Sequence, residues 1–151
     1  MISLAWRLRT LVVAVCTLTA SGAHAVDFRS VGASPAVMYD APSEKGRKVF
    51  VAPRGMPVEV VLSYGEWIKV RDAGGDLAWV ETRALVPKRM LMVTAVNGKL
   101  RASADDAAPV VLTADRGVLL ELAEPVVSGW IKARHRDGVT GFIKATDVWG
   151  D

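Results

Sequence analysis

The sequence has 151 residues, a formal net charge of +3 and a single cysteine. Two of its 19 Lys and Arg residues and none of its 16 Asp and Glu residues lie in the first 25 positions, which leaves 17 against 16, or a net charge of +1, for the rest. A chain so close to neutral argues against a nucleic-acid-binding protein, because such proteins need a clustered basic surface.

The amino-terminal segment has the three parts of a secretory signal peptide. Two arginines make a basic start, residues 11–20 form a short apolar run, and residues 23–25 read AHA, the small-residue pattern that precedes a cleavage site. The apolar run is shorter than the roughly 20 residues that a transmembrane helix needs, which disfavours the alternative of a membrane anchor. We therefore expect cleavage between Ala25 and Val26, a periplasmic location, and no integral membrane segment after cleavage.

Short strands separated by glycine turns are predicted along the chain that follows. Residues 57–63 and 67–71 alternate between apolar residues, mostly β-branched, and a second set of more polar ones. This is the pattern of strands with one buried face. The residues predicted to face inward are Val58, Val60, Leu62, Ile68 and Val70. Residues 82–85 and 145–148 are the stretches predicted to form single helical turns.

The strand pattern occurs twice along the chain. Residues 66–72 read EWIKVRD and residues 129–135 read GWIKARH, so that Trp67 recurs as Trp130. With one position of slippage upstream, Gly55 also aligns with Gly117. Matches at several separate points indicate an internal duplication.

The duplication predicts an all-β fold of two small closed barrels, each of about five strands. We expect residues 26–88 to form the first barrel and residues 89–151 the second. No Gly- or Ser-rich linker separates them, so we expect the two barrels to pack against each other. Because the second barrel has Ala133 where the first has Val70, its core is expected to be smaller.

The repeated residues resemble the bacterial SH3-like (SH3b) domain family. A Gly-x-x-Val-x-Val strand, a Trp-x-Lys-Val strand, a glycine turn, an Ala-aromatic-Val strand and a closing Leu follow one another between Gly55 and Leu85. The resemblance extends over residues 36–150 and is to a secreted tandem-SH3b envelope protein. It implies a non-catalytic binding module whose partner is cell-wall peptide, peptidoglycan or an envelope protein. Two alternatives are a structural or adaptor subunit that packs a partner protein, and an inhibitor or accessory of an envelope hydrolase.

Residues 26–151 lack the residue types that common catalytic and metal sites use. The only cysteine is Cys16, inside the predicted signal peptide, so the mature chain has no cysteine nucleophile and no disulfide. The one histidine left after cleavage is His135. One histidine does not supply the three or four ligands of a zinc site. We therefore predict no enzymatic activity, no metal and no cofactor.

Aromatic and basic residues at outward-facing strand positions form the predicted ligand site. Trp67 shares strand parity with Arg71 and not with the inward pair Ile68 and Val70. A planar indole beside a guanidinium holds a peptide or sugar face together with an anionic group. The predicted ligand-binding residues are Tyr39, Lys48, Arg54, Trp67, Arg71 and Trp79, and their counterparts in the second barrel are Trp130, Arg134 and Phe142.

The two barrels are predicted to differ in role. The first carries the fuller aromatic set and a basic loop from Lys45 to Arg54, so we assign the ligand to it and structural support to the second. In the second barrel we place Leu100 near the position of Tyr39. Trp149 is expected to fill the bottom of a barrel. The alternative role for the repeated tryptophans is packing beneath the long first loop or in the seam between the barrels.

Overall fold

The computed structural model describes residues 25–151, so the predicted signal peptide lies outside the described residues except for Ala25. Within residues 25–151 the regular secondary structure consists of β-strands and two single-turn 3₁₀ helices. The strands form two antiparallel sheets of seven strands each. The predicted all-β fold is therefore confirmed.

The first sheet is built from residues 28–86, with the strand order β3-β2-β6-β5-β4-β1-β7. Its strands are β1 (Phe28–Val31), β2 (Ala36–Tyr39), β3 (Lys48–Ala52), β4 (Pro57–Tyr64), β5 (Trp67–Arg71), β6 (Leu77–Glu81) and β7 (Leu85–Val86). A 3₁₀ helix, Thr82–Ala84, leads into β7, where a helical turn was predicted.

The second sheet repeats this topology, with the order β10-β9-β13-β12-β11-β8-β14. Its strands are β8 (Met90–Val93), β9 (Gly98–Arg101), β10 (Val110–Ala114), β11 (Leu119–Val127), β12 (Trp130–Arg134), β13 (Thr140–Lys144) and β14 (Val148–Trp149). The second predicted helical turn is a 3₁₀ helix, Ala145–Asp147.

Each repeat has seven strands, and the prediction of about five was wrong. The strands that it missed are short. The closing strand of each repeat is only two residues long, and β1 is four residues long. Alternation over so few residues is too brief to distinguish a strand from a loop. Strand β1 is recognised only by its pairing with β4 and β7.

The structure locates the slippage between the repeats in strand β11. Strand β2 begins at Ala36 and its counterpart β9 at Gly98, whereas β5 begins at Trp67 and its counterpart β12 at Trp130. The offset between the repeats is therefore larger by one position after β11 than before it. Strand β11 has nine residues where β4 has eight. The extra residue is absorbed as an additional bulge, because the β4–β5 pairing has one register shift and the β11–β12 pairing has two.

Each repeat has its own hydrophobic core. Ile68 and Val70 are buried in the first core and Ile131 and Ala133 in the second, so the predicted inward parity of these strands is confirmed. The prediction was wrong for Leu62, which is exposed. The register shift that immediately precedes Leu62 reverses the parity of β4 beyond that point.

The second core accommodates its smaller residues by closer packing. Ala133 pairs with Gly141, where the first barrel pairs Val70 with Ala78. A Cβ atom added at Gly141 would lie 3.1 Å from the Leu100 Cβ. The neighbouring strands thus approach the Gly141 backbone more closely than an alanine would allow.

A seam of aromatic and charged residues joins the two repeats. Trp149 packs edge-on against Phe28, and the Arg89 guanidinium lies over the same Phe28 ring. The expectation that Trp149 fills the bottom of a barrel was wrong. Strand alternation buries its neighbour Val148 in the second core and turns Trp149 toward the first repeat.

Candidate functional site

A cleft of about 850 Å³ opens beside Trp67 in the first barrel. It is bordered by the loop between β2 and β3, residues 40–47, by the turn between β4 and β5, and by the start of the first 3₁₀ helix. Its lining residues are Pro42, Ser43, Glu44, Lys45, Gly65, Glu66, Trp67, Glu81, Thr82 and Arg83.

Local hydrogen bonds shape the loop that borders the cleft. The Asp40 carboxylate accepts the backbone N–H of Arg47 at 2.8 Å, and the Gly46 N–H donates to the Ser43 carbonyl at 2.9 Å. On the other border, Gly65 has a φ of 57°, a left-handed conformation that favours glycine in the tight β4–β5 turn.

A buried aromatic neighbour holds the Trp67 ring in place beside the cleft. Trp67 is half-buried, and its ring meets Tyr39 edge-on with ring centroids 5.5 Å apart. Tyr39 is itself 9% exposed. The indole is thus ordered before any ligand arrives, which lowers the entropic cost of binding against it.

Five charged side chains line the cleft, and acids outnumber bases. Glu44, Glu66 and Glu81 carry the negative charges, and Lys45 and Arg83 carry the positive ones. Arg83 forms an ion pair with Glu81. The hydrogen bond from Arg83 holds the pKa of the Glu81 carboxyl below its usual range.

Of the predicted ligand-binding residues, Trp67 lines this cleft, whereas the buried Tyr39 packs against its ring and does not line the cleft. Trp79 instead lines a second cleft of about 440 Å³, together with Lys69, whose ammonium is 5.8 Å from the Trp79 ring centroid. Lys48 and Arg54 are exposed and line neither of these two clefts.

The predicted pairing of Trp67 with the Arg71 guanidinium is wrong. The two residues share a face of β5 but lie at its opposite ends, about 13 Å apart along the strand. Arg71 forms an ion pair with Glu59 on the adjacent strand at 3.1 Å. In the second barrel Arg134 pairs with Glu121 in the same way, at 2.8 Å.

The acids of the cleft were missed by the sequence analysis. Glu81 lies directly opposite Trp67 in the antiparallel β5–β6 pair. Counting outward from the Gly74-Gly75 turn would have placed Glu81 opposite Trp67, because the length of a turn sets the register of its hairpin. Glu44 carried no such signal, because its place depends on how the 40–47 loop folds.

The second barrel has a different arrangement around its tryptophan. Lys144 lies opposite Trp130, and its ammonium is 5.6 Å from the Trp130 ring centroid. The same ammonium forms an ion pair with Asp106 at 2.7 Å. Phe142, the counterpart of Trp79, pairs with Lys132 across the β12–β13 hairpin. The second barrel therefore supplies its own cation to its tryptophan.

The residue at the position of Tyr39 is Arg101, not Leu100. Leu100 is the third residue of β9, as Met38 is of β2, and both are buried. Arg101 and Tyr39 each end their strand. Arg101 donates a hydrogen bond to the Ala108 carbonyl oxygen at 2.8 Å and so anchors the loop between β9 and β10.

Residues 25–151 contain no cluster of three or more His, Cys, Asp or Glu side chains that could hold a metal ion. No helix in this part of the chain has the length and hydropathy needed to cross a membrane.

The family model of the bacterial SH3 domain matches the chain twice, at residues 32–87 and 94–150, together more than half of its length. Two solved structures from Trichomonas vaginalis are also similar. NlpC1 is 10% identical with a TM-score of 0.40, and the match covers 87% of this chain and 48% of that one. NlpC2 is 10% identical with a TM-score of 0.39, and the match covers 84% and 49%. The chain spans about half the length of these two structures. No curated protein matches it.

Proposed function

The chain belongs to the bacterial SH3 domain family, and on that premise we propose that it is a non-catalytic binding module of the bacterial cell envelope. Bacterial SH3 domains are typically cell-wall binding modules. The ligand in this proposal is peptidoglycan or its peptides, and the binding site is the cleft beside Trp67. Export to the periplasm, through the signal peptide of residues 1–25, is part of the same proposal.

The observation that carries the proposal is the ordered aromatic wall of an open, charged cleft. A volume of about 850 Å³ is within the range of small-molecule and peptide sites. Trp67, packed against the buried Tyr39, provides rigid apolar surface for a peptide or sugar face. Acids and bases lie within the same cleft, which suits a ligand that carries both carboxylates and amines, as peptidoglycan peptides do.

A second candidate function, that of an adaptor subunit, is supported by an exposed strand edge. Strand β3 lies at one end of the first sheet, and Val49, Phe50 and Val51 on it are all exposed. An apolar edge strand offers unpaired backbone groups and side-chain surface to a strand from a partner protein.

A sedimentation experiment separates the two functions. The protein is incubated with insoluble peptidoglycan and, in parallel, with chitin, a related polymer of N-acetylglucosamine that lacks the peptides. We expect saturable binding to peptidoglycan and little to chitin. Equal binding to both polymers would argue against peptide recognition. Absence of binding to either, with capture of a defined envelope protein at the β3 edge, would favour the adaptor.

A further inference from the structure

The second barrel shows how the position beside its tryptophan is filled. Lys144 lies directly across the hairpin from Trp130, its ammonium is 5.6 Å from the ring centroid, and Asp106 holds it at 2.7 Å. The second barrel thus places an ammonium group between an indole face and a loop carboxylate.

The first barrel retains two parts of this arrangement and lacks the third. Trp67 corresponds to Trp130. Glu44 corresponds to Asp106, because each is the fifth position of its loop, 40–47 or 102–109, and equivalent strands flank the two loops. The position of Lys144 is taken by Glu81, which lies directly opposite Trp67. Among residues 25–151, no Lys or Arg side chain lies over the Trp67 ring as Lys144 lies over Trp130.

The substitution leaves the first cleft with an unneutralised negative charge. Its three carboxylates face two internal cations, Lys45 and Arg83. Glu44 and Glu81 both line this cleft, and a cleft in which negative charges outnumber positive ones favours the approach of a cation. A cation that enters here would meet the carboxylates and the face of an indole, which attracts cations through its quadrupole.

We propose that the cleft beside Trp67 recognises a primary ammonium group of its ligand, in the place that the Lys144 ammonium occupies in the second barrel. The inference rests on the proposed function and deepens it. For peptidoglycan, the group is the free amine that an uncross-linked stem peptide carries on its diamino acid. The second barrel is closed by its own ammonium, and the first takes that group from the ligand.

The test compares untreated peptidoglycan with peptidoglycan whose amines have been acetylated by acetic anhydride. Acetylation removes the charge and leaves the polymer insoluble. We expect the apparent affinity to fall by about ten-fold or more on the acetylated wall. Equal binding to both would overturn the ammonium inference and leave the proposed function intact. Absence of binding to either wall would refute the proposed function itself, and the inference with it.

A charge-reversal variant tests the same point from the protein side. Glu81→Lys gives the first cleft the ammonium that Lys144 supplies to the second, with Glu44 in the role of Asp106. We expect this variant to fold, to bind untreated wall about ten-fold more weakly, and to lose the distinction between untreated and acetylated wall. Binding equal to that of the unsubstituted protein would contradict the inference.

Two further variants provide the controls. Glu124→Lys makes the same charge change at an exposed ion pair of the second barrel and is expected to leave binding unchanged. Glu81→Gln keeps the size of the side chain and removes its charge, so it serves if Glu81→Lys does not fold. It is expected to weaken binding to untreated wall and to reduce the effect of acetylation. An unchanged ratio between the two walls would count against the role of Glu81.

Discussion

Trp149 of the second barrel packs edge-on against Phe28 of the first, with ring centroids 4.9 Å apart and an interplanar angle of 87°. The Arg89 guanidinium lies over the same Phe28 ring, with its central carbon 5.5 Å from the centroid. Edge-to-face aromatic pairs are attractive beyond the area they bury. Because this contact joins residues of both sheets, the two barrels are expected to unfold as one cooperative unit.

Replacement of Trp149 tests that coupling. We expect Trp149→Ala to lower the free energy of unfolding by about 1–3 kcal/mol, because the seam loses a half-buried indole and its partner ring. Urea unfolding followed by circular dichroism measures this, and a lower m-value would show that the barrels have begun to unfold separately. Tyr64→Ala, at an aromatic residue that is 66% exposed, is the control. An equal effect of both substitutions would argue against a stabilising seam.

The close packing of the second core predicts a penalty for one added methyl group. We expect Gly141→Ala to destabilise the protein by about 1–3 kcal/mol. The new Cβ would lie 2.9 Å from the Arg101 carbonyl oxygen and 2.9 Å from the Val111 Cγ2. Gly74→Ala, at an exposed turn position where the new Cβ would lie 3.3 Å from an Asp72 carboxylate oxygen, is expected to change stability by no more than about 0.5 kcal/mol. The melting temperatures of the two variants measure this difference in stability.

The two repeated tryptophans are expected to respond differently to removal. Trp67→Ala should weaken peptidoglycan binding by about 1–3 kcal/mol, as the loss of an interface anchor does. Trp130→Ala should leave binding intact and lower stability, because the Trp130 ring is already covered by Lys144. Binding isotherms and melting curves of both proteins provide the measurement. The assignment of the ligand to the first barrel fails if Trp130→Ala is the variant that abolishes binding.

The stability of the protein should depend on the ionisation of Glu121. A hydrogen bond from Lys88 and a second from Arg134 lower the pKa of this carboxyl. Its contribution is therefore complete above the unfolded-state pKa of about 4.3 and is lost as pH falls through the lower folded-state value. We expect Glu121→Gln to cost about 1 kcal/mol at pH 7 and little at pH 2.

Chemical denaturation at several pH values measures the contribution of Glu121. Glu124→Gln removes a single, more exposed ion pair, that with Lys132, and is expected to have the smaller effect at pH 7. A destabilisation by Glu121→Gln that persists unchanged at pH 2 would show that packing, and not charge, is responsible.

The outward-facing residues show where sequence reasoning reaches its limit. Strand parity correctly separated Trp67 from the buried Ile68 and Val70. Parity alone did not reveal that Arg71 is fixed by Glu59 at the far end of the strand. Parity identifies the face on which a side chain lies, whereas distance along the strand and cross-strand register decide which side chains meet.

The amino-acid sequence by itself determined the duplication and the inward-facing residues of the central strands, such as Ile68 and Val70, because alternation and turn chemistry are local properties of the chain. Only the tertiary structure decided which charges surround each tryptophan. Glu44 and Glu81 are far apart in the sequence and line one cleft because the 40–47 loop folds beside the end of β6. The same fold brings a lysine to Trp130 and a glutamate to Trp67, and this difference in charge at one equivalent position distinguishes the two barrels.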